Sequence, residues 1–195
     1  MDALILAGGE NKRMPVLKGF LEIRDRKIIE KNLDLLKRLF KRVLISANAP
    51  ESYFYLGSPL VGDVLDSRGP MTGVLSALVS TEASAIFVTA CDMPYINAIL
   101  IQYIVERWDN RFDAAIPLHE QKPQPLFGIY SKRIADKMEW SIKTGRRSIR
   151  DFLKEITVYY ISEDEVKSID HKGRSFVNIN TAEDYKREGG QSCLV

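Results

Sequence analysis

The sequence predicts an α/β fold, a three-layer sandwich around a mostly parallel sheet, and two observations predict it. Short apolar or β-branched runs recur through the first two-thirds of the chain, and stretches with helical apolar spacing lie between them. Strand–helix alternation of this kind implies right-handed crossovers, with helices covering both faces of one sheet.

The expected strands are Asp2–Leu6, Arg42–Ser46, Val61–Leu65 and Ala85–Thr89, each short and apolar enough for a buried parallel position. Ile29, Leu33, Leu36 and Phe40 fall on one helical face, and so do Ile96, Leu100, Tyr103, Ile104 and Trp108. Gly69–Thr81 reads as a less polar helix opening at Gly69-Pro70. Beyond Asn110 the pattern changes. Ala114–Pro117 and Gln124–Tyr130 read as strands around a polar loop, followed by a helix over Ser131–Lys143 and a basic turn at Gly145-Arg146-Arg147. Ser148…Asp151, Ser162…Glu165 and Thr181…Asp184 have the spacing of helix capping boxes. Thr157–Ile161 and Phe176–Ile179 read as late strands, and Thr181–Glu188 as a closing helix. No repeat or linker interrupts the chain, so residues 1–188 are expected to form one domain, with 189–195 a disordered tail.

Bulk properties narrow the function classes. The chain has 195 residues, 28 basic and 26 acidic, for a formal net charge of +2. Without a dense basic block, nucleic acid is not an expected partner. No apolar run reaches the length of a membrane span and the N-terminus lacks a basic leader, so no membrane partner is expected and a cytoplasmic location is. Cys91 and Cys193 are too few for a disulfide framework or zinc cluster. Cys91, with no His or Lys partner in view, reads as a small buried residue.

The segment Leu6-Ala7-Gly8-Gly9-Glu10-Asn11-Lys12-Arg13-Met14-Pro15-Val16-Leu17-Lys18 follows the first strand directly. Paired glycines let backbone N–H groups approach an anion, and Lys12, Arg13 and Lys18 can neutralise a polyphosphate. Lys18 is followed by Gly19, which excludes a Walker A loop, and the pair lacks the third spaced glycine of a dinucleotide fingerprint. A surface turn with incidental charge is the competing reading, and residue types alone leave the two level. Ala85–Thr89 delivers Asp92 to the same sheet edge, where its carboxylate could hold Mg²⁺ or cap the next helix. Spacing alone does not choose.

Taken in order, these segments resemble the MobA-type nucleotidyltransferases. The resemblance rests on the Leu-Ala-Gly-Gly…Arg-Met…Lys loop, on Cys91-Asp92-Met93-Pro94, on Pro123-Gln124-Pro125-Leu126-Phe127, and on Asn178-Ile179-Asn180-Thr181-Ala182-Glu183-Asp184. Pro15 and Leu17 stand where the family has Gly and often Asp. The resemblance implies a Rossmann-like, mostly parallel sheet of the nucleotide-diphospho-sugar transferase type. It also implies a nucleotide site of Leu6, Ala7, Gly8, Gly9, Lys18, Ser46, Asp66 and Asp92. Ser46 departs from the family's common asparagine, and Asn48 lies in the same stretch. Lys18, Arg13 and Asp92 become the expected catalytic residues, with Asp92 the Mg²⁺ ligand. Asn178 and Asn180 become acceptor-side candidates; alternating along a strand, only one of them should face a given side. His119, Lys122, Arg146 and Arg147 are further candidates for an acceptor phosphate.

The implied activity is transfer of GMP from GTP to molybdopterin, the molybdenum cofactor, with release of pyrophosphate. GTP and molybdopterin would be the partners, with transient contacts to cofactor-handling proteins. A sister enzyme using CTP or another phosphorylated acceptor is one alternative, and a non-catalytic nucleotide-binding relative is another. A dinucleotide-dependent redox enzyme lacks its glycine fingerprint.

Overall fold

A computed structural model describes residues 1–8 and 18–190. Gly9, Lys12, Arg13, Pro15, Leu17 and Cys193 lie outside the described residues, as does most of the expected 189–195 tail. Its first two residues close the last helix, Gly189 N–H donating to Lys186 O and Gly190 N–H to Tyr185 O.

The strands are β1 (Asp2–Leu6), β2 (Val43–Ser46), β3 (Leu60–Val61), β4 (Ala85–Ala90), β5 (Ala114–His119), β6 (Lys122–Pro123), β7 (Gly128–Ser131) and β8 (Val158–Ile161). Along the sheet they run β3-β2-β1-β4-β7-β5-β6, with β8 also on β5. The β3-β2-β1-β4 half is parallel throughout, whereas β7 is antiparallel to both β4 and β5. Successive strand side chains point to opposite faces, and the core divides accordingly. Ala3, Ile5, Ile45 and Phe87 pack on one face with α1 (Ile28–Leu39) and α3 (Ala98–Arg107). Leu4, Leu6, Leu44, Ile86 and Val88 pack on the other with α2 (Pro70–Ser80) and α4 (Ala135–Lys143). This is the three-layer sandwich that the apolar runs require.

Three expected strands are corrected. Val61–Leu65 shrinks to Leu60–Val61, because Gly62 and Asp63 follow and the Val64 N–H bonds the Ser76 hydroxyl of α2 instead of a neighbouring strand. Gln124–Tyr130 begins only at Gly128; Phe127 N–H turns back onto Gln124 O. Phe176–Ile179 is no strand. Arg174–Phe176 is a turn of 3-10 helix, in which Phe176 and Val177 N–H donate to Gly173 and Arg174 O, and Ile179 N–H donates to Asp92 O at 3.0 Å.

The capping boxes at Ser162, before α6 (Glu163–Ile169), and at Thr181, before α7 (Ala182–Arg187), are complete in both directions. At Ser148, before α5 (Ile149–Phe152), only the serine half forms. A 3-10 segment, Pro50–Leu56, was not foreseen. No helix among the described residues is long and apolar enough to cross a membrane.

Phe87 stacks on Phe40 at 5.6 Å and meets Phe127 edge-on at 5.2 Å, with no exposed surface. Phe87→Ala should therefore cost about 3–5 kcal/mol. That lowers the thermal midpoint by about 10 °C, measurable by calorimetry.

Candidate active site

The parallel half of the sheet reverses direction of travel at β1. The chain moves outward through β2 and β3, then returns to the other side of β1 as β4. In open α/β sheets the crevice outside the carboxyl ends of such a strand pair is where ligands bind. Here those ends are tied together, Cys91 N–H donating to Leu6 O at 2.9 Å and Ala7 N–H to Ser46 O at 2.8 Å.

A cleft of about 350 Å³ opens at this point. Leu6, Ala7 and Gly8 form one wall, and Ala90, Cys91 and Asp92 another. Lys18, Pro70, Leu126, Asn178 and Asn180 complete it. The Lys18 ammonium is 3.0 Å from Asp92 Oδ2 and 2.6 Å from Asn180 Oδ1. Both charged side chains are largely covered, at 24% and 16% exposure. The lysine donates to both acceptors, so the pair is a charge-assisted hydrogen bond and stronger than a neutral one.

Local structure explains each position. Asp92 does not cap α3, since Asn97 does, its side chain accepting from Ile99 and Leu100 N–H groups. The Asp92 loop is instead held from below, with Asn32 Nδ2 donating to Met93 O and Lys31 Nζ to Pro94 O. Asn180 is placed by the capping box of α7, where Asp184 Oδ2 accepts from both Asn180 and Thr181 N–H groups. Gly8 lets the backbone pass close to Asn48; a Cβ there would sit 3.2 Å from Asn48 Oδ1. Burial pushes the Cys91 thiol pKa well up, keeping it protonated and inert.

Of the expected nucleotide residues, the structure gathers Leu6, Ala7, Gly8, Lys18 and Asp92 in one cleft; Gly9 and Arg13 lie outside the described residues. Ser46 is buried and turned toward α2, where a Cβ on Gly73 would stand 2.8 Å from its hydroxyl, and it is not among the residues that line the main cleft. Asp66 lines a neighbouring cleft with Asn48, Asp63 and Arg68. Asn178 and Asn180 both line the main cleft, contrary to strand alternation, because the segment carrying them is irregular.

A third cleft of about 360 Å³ shares Pro70, Leu126 and Asn178 with the first, and adds Gln124, Arg147 and Arg150. Arg146 is drawn away to Glu155 and the Trp140 ring, and His119 packs against Phe176. Lys122 is exposed and lines none of these three clefts. Arg150 went unnoticed in the sequence, although its three-residue spacing from Arg147 was a signal that the two could share a helical face.

Three His, Cys, Asp or Glu side chains do not cluster at any point among the described residues. Asp92 nevertheless offers a carboxylate, and Asn178 and Asn180 amide groups, beside an open cleft. That donor set suits Mg²⁺, which takes one or two carboxylates and completes its shell with phosphates and water.

A family model described as the MobA-like NTP transferase domain matches residues 3–160. A Pelotomaculum thermopropionicum protein named "probable molybdenum cofactor guanylyltransferase" is 34% identical over 93% of this chain and 88% of its own length. The Desulfosudis oleivorans molybdenum cofactor guanylyltransferase is 31% identical, covering 96% and 95% of the two chains. The crystal structure of molybdopterin-guanine dinucleotide biosynthesis protein A from Archaeoglobus fulgidus superposes with a TM-score of 0.84 at 27% identity, covering 96% of each chain.

Burial works to raise the Asp184 pKa, but hydrogen bonds from Asn180, Thr181 and Arg187 outweigh it and hold the carboxyl below its usual value. A depressed folded pKa stabilises above the ordinary carboxylate value near 4, and the benefit is lost as pH falls through the depressed value. The gap in thermal midpoint between the native chain and Asp184→Asn should be steady from about pH 5 to 8 and narrow below about pH 4. Thermal melts across that range check it.

Proposed function

The chain belongs to the MobA-like NTP transferase family, and on that footing we propose that it transfers GMP from GTP to molybdopterin. The observation that carries this reading is the Lys18 ammonium held between Asp92 and Asn180 at the β1/β4 crevice. In the proposed reaction an oxygen of the acceptor's terminal phosphate bonds to the α-phosphorus of GTP. The bond from that phosphorus to the bridging oxygen breaks, and pyrophosphate leaves with the electron pair. The attacking phosphate is already anionic at neutral pH, so no strong general base is needed.

The obstacle is bringing two anions together while charge gathers on the leaving group. Lys18 would exchange its contacts with Asp92 and Asn180 for the phosphates, lowering both costs by positioning and charge stabilisation. Asp92, freed of the lysine, would hold Mg²⁺, with Arg13 a further phosphate contact. When bound, Mg²⁺ supplies charge neutralisation across the phosphates. Leu6, Ala7, Gly8 and Gly9 would line the nucleotide.

Two neighbouring clefts support the choice of substrates. Guanine presents N1–H and N2–H₂ donors, and the Asp66 cleft provides carboxylates of Asp63 and Asp66 as acceptors. This observation favours GTP over CTP. The Arg147–Arg150 cleft adjoins the reacting end through Asn178 and suits an acceptor that carries a phosphate. The reading treats residues 1–188 as one catalytic unit acting on small molecules in the cytosol.

Pyrophosphate release with Mg²⁺ and molybdopterin, measured across the four nucleoside triphosphates, tests the proposal. Turnover with GTP well above CTP is expected; equal or greater turnover with CTP would overturn the base assignment. Lys18→Ala should lower turnover by at least about a hundredfold, the order lost with one transition-state donor. A near-normal rate in that variant would remove Lys18 from the mechanism. Chelation of divalent metal should abolish turnover, with recovery on adding Mg²⁺.

A further inference from the structure

Tyr53 is a core tyrosine from the unforeseen 3-10 segment, and the roles proposed above leave it unused. It is 1% exposed, yet its hydroxyl reaches the cleft wall and donates to Ala7 O at 3.3 Å. Its ring stacks on Phe20 at 5.1 Å between centres, with 19° between planes. Ala7 belongs to the wall that follows β1. Phe20 ends the short turn Lys18–Phe20 that presents the lysine. One side chain therefore touches both sides of the cleft, one by hydrogen bond and the other by ring contact.

The surroundings give that bridge little freedom. Gly19, between the lysine and Phe20, is buried where a Cβ would already touch Cys91 and Ile29 at 3.4 Å. The Lys27 ammonium lies 5.4 Å from the Phe20 ring centre and holds it from a second element. Burial raises the Tyr53 phenol pKa, so the hydroxyl is a donor throughout the working pH range. Ala7 N–H is already committed to Ser46 O, so the Tyr53 bond fixes the other side of the same backbone unit.

We infer that Tyr53 is a positioning residue that sets the distance between the Ala7–Gly8 backbone and the Lys18 ammonium. The inference rests on the reading of those groups as nucleotide contacts. It assigns different work to the two halves of the side chain. The hydroxyl aligns the backbone wall, which meets the nucleotide in the ground state as well as the transition state. The ring, through Phe20, aligns the lysine, which acts on charge that develops during transfer.

The kinetic consequences separate accordingly. Tyr53→Phe keeps the ring and loses the hydrogen bond, so KM for GTP should rise about fivefold with kcat nearly unchanged. Phe20→Leu removes the ring contact, so kcat should fall about fivefold with a smaller change in KM. Phe20→Tyr, which restores the ring, should recover most of that loss. Steady-state pyrophosphate release with GTP, molybdopterin and Mg²⁺, beside thermal melts of each variant, reads all three.

A purely structural tyrosine predicts a lowered melting midpoint with both kinetic constants unmoved, and that result would overturn the inference. Equal loss of kcat and KM effects in both variants would overturn the division of labour. Failure of the underlying reading looks different. The native chain would then bind and turn over no nucleoside triphosphate at all, and the Tyr53 assignment would fall with it.

Discussion

An ammonium nitrogen on Lys18 meets a carboxylate 74 residues further along the chain and an amide oxygen 162 residues further. Three distant segments must be delivered to one point for that contact to exist, and the sheet order is what delivers them. β1 ends at the cleft, β4 ends beside it, and the Asn178–Asn180 segment is pinned across the opening by the bond from Ile179 N–H to Asp92 O. Charge-assisted hydrogen bonds at a partly covered position are worth more than those in open water, but they are also exchangeable. On the proposed reading, the lysine held by these protein acceptors would exchange them for phosphate oxygens.

The same economy explains the rigid surroundings. Exchange of partners is useful only if the acceptors stay where they are when the lysine leaves. Asp92 is held by backbone and by Asn32 beneath its loop, and Asn180 by the Asp184 carboxylate of α7. Beneath them the aromatic contacts of Phe40, Phe87, Phe127 and Phe176 join the sheet to the irregular closing segment. Packing of this kind resists small displacements, which is what preorganised electrostatics requires.

The family match and the geometry are complementary. The matched residues 3–160 include the glycine-rich segment, Lys18 and Asp92, and stop short of Asn178 and Asn180. Geometry brings that closing segment back into the same cleft, and the relatives that align over more than nine-tenths of the chain include it. Arg146 and Arg147 show the opposite case, two adjacent arginines of equal promise in sequence. Arg147 lines the cleft that shares Asn178 with the first, whereas Glu155 and Trp140 engage Arg146.

What the sequence determined by itself was the layered architecture, because buried strands and amphipathic helices declare themselves by local periodicity. It also determined the capping boxes at Ser162 and Thr181, whose partners lie three residues apart, and the motifs that carry Lys18 and Asp92. The tertiary structure decided everything that depends on partners distant in the chain. Asp92 could have been the cap of α3 until Asn97 proved to hold that position. Asn178 and Asn180 could alternate until their segment proved to have no ladder, which let both face the cleft. For the glycine-rich segment from Leu6 to Lys18, residue types alone left an anion loop and a surface turn level. Its described ends acquire meaning from Asp92, Asn180 and Tyr53, residues that no local pattern places beside them.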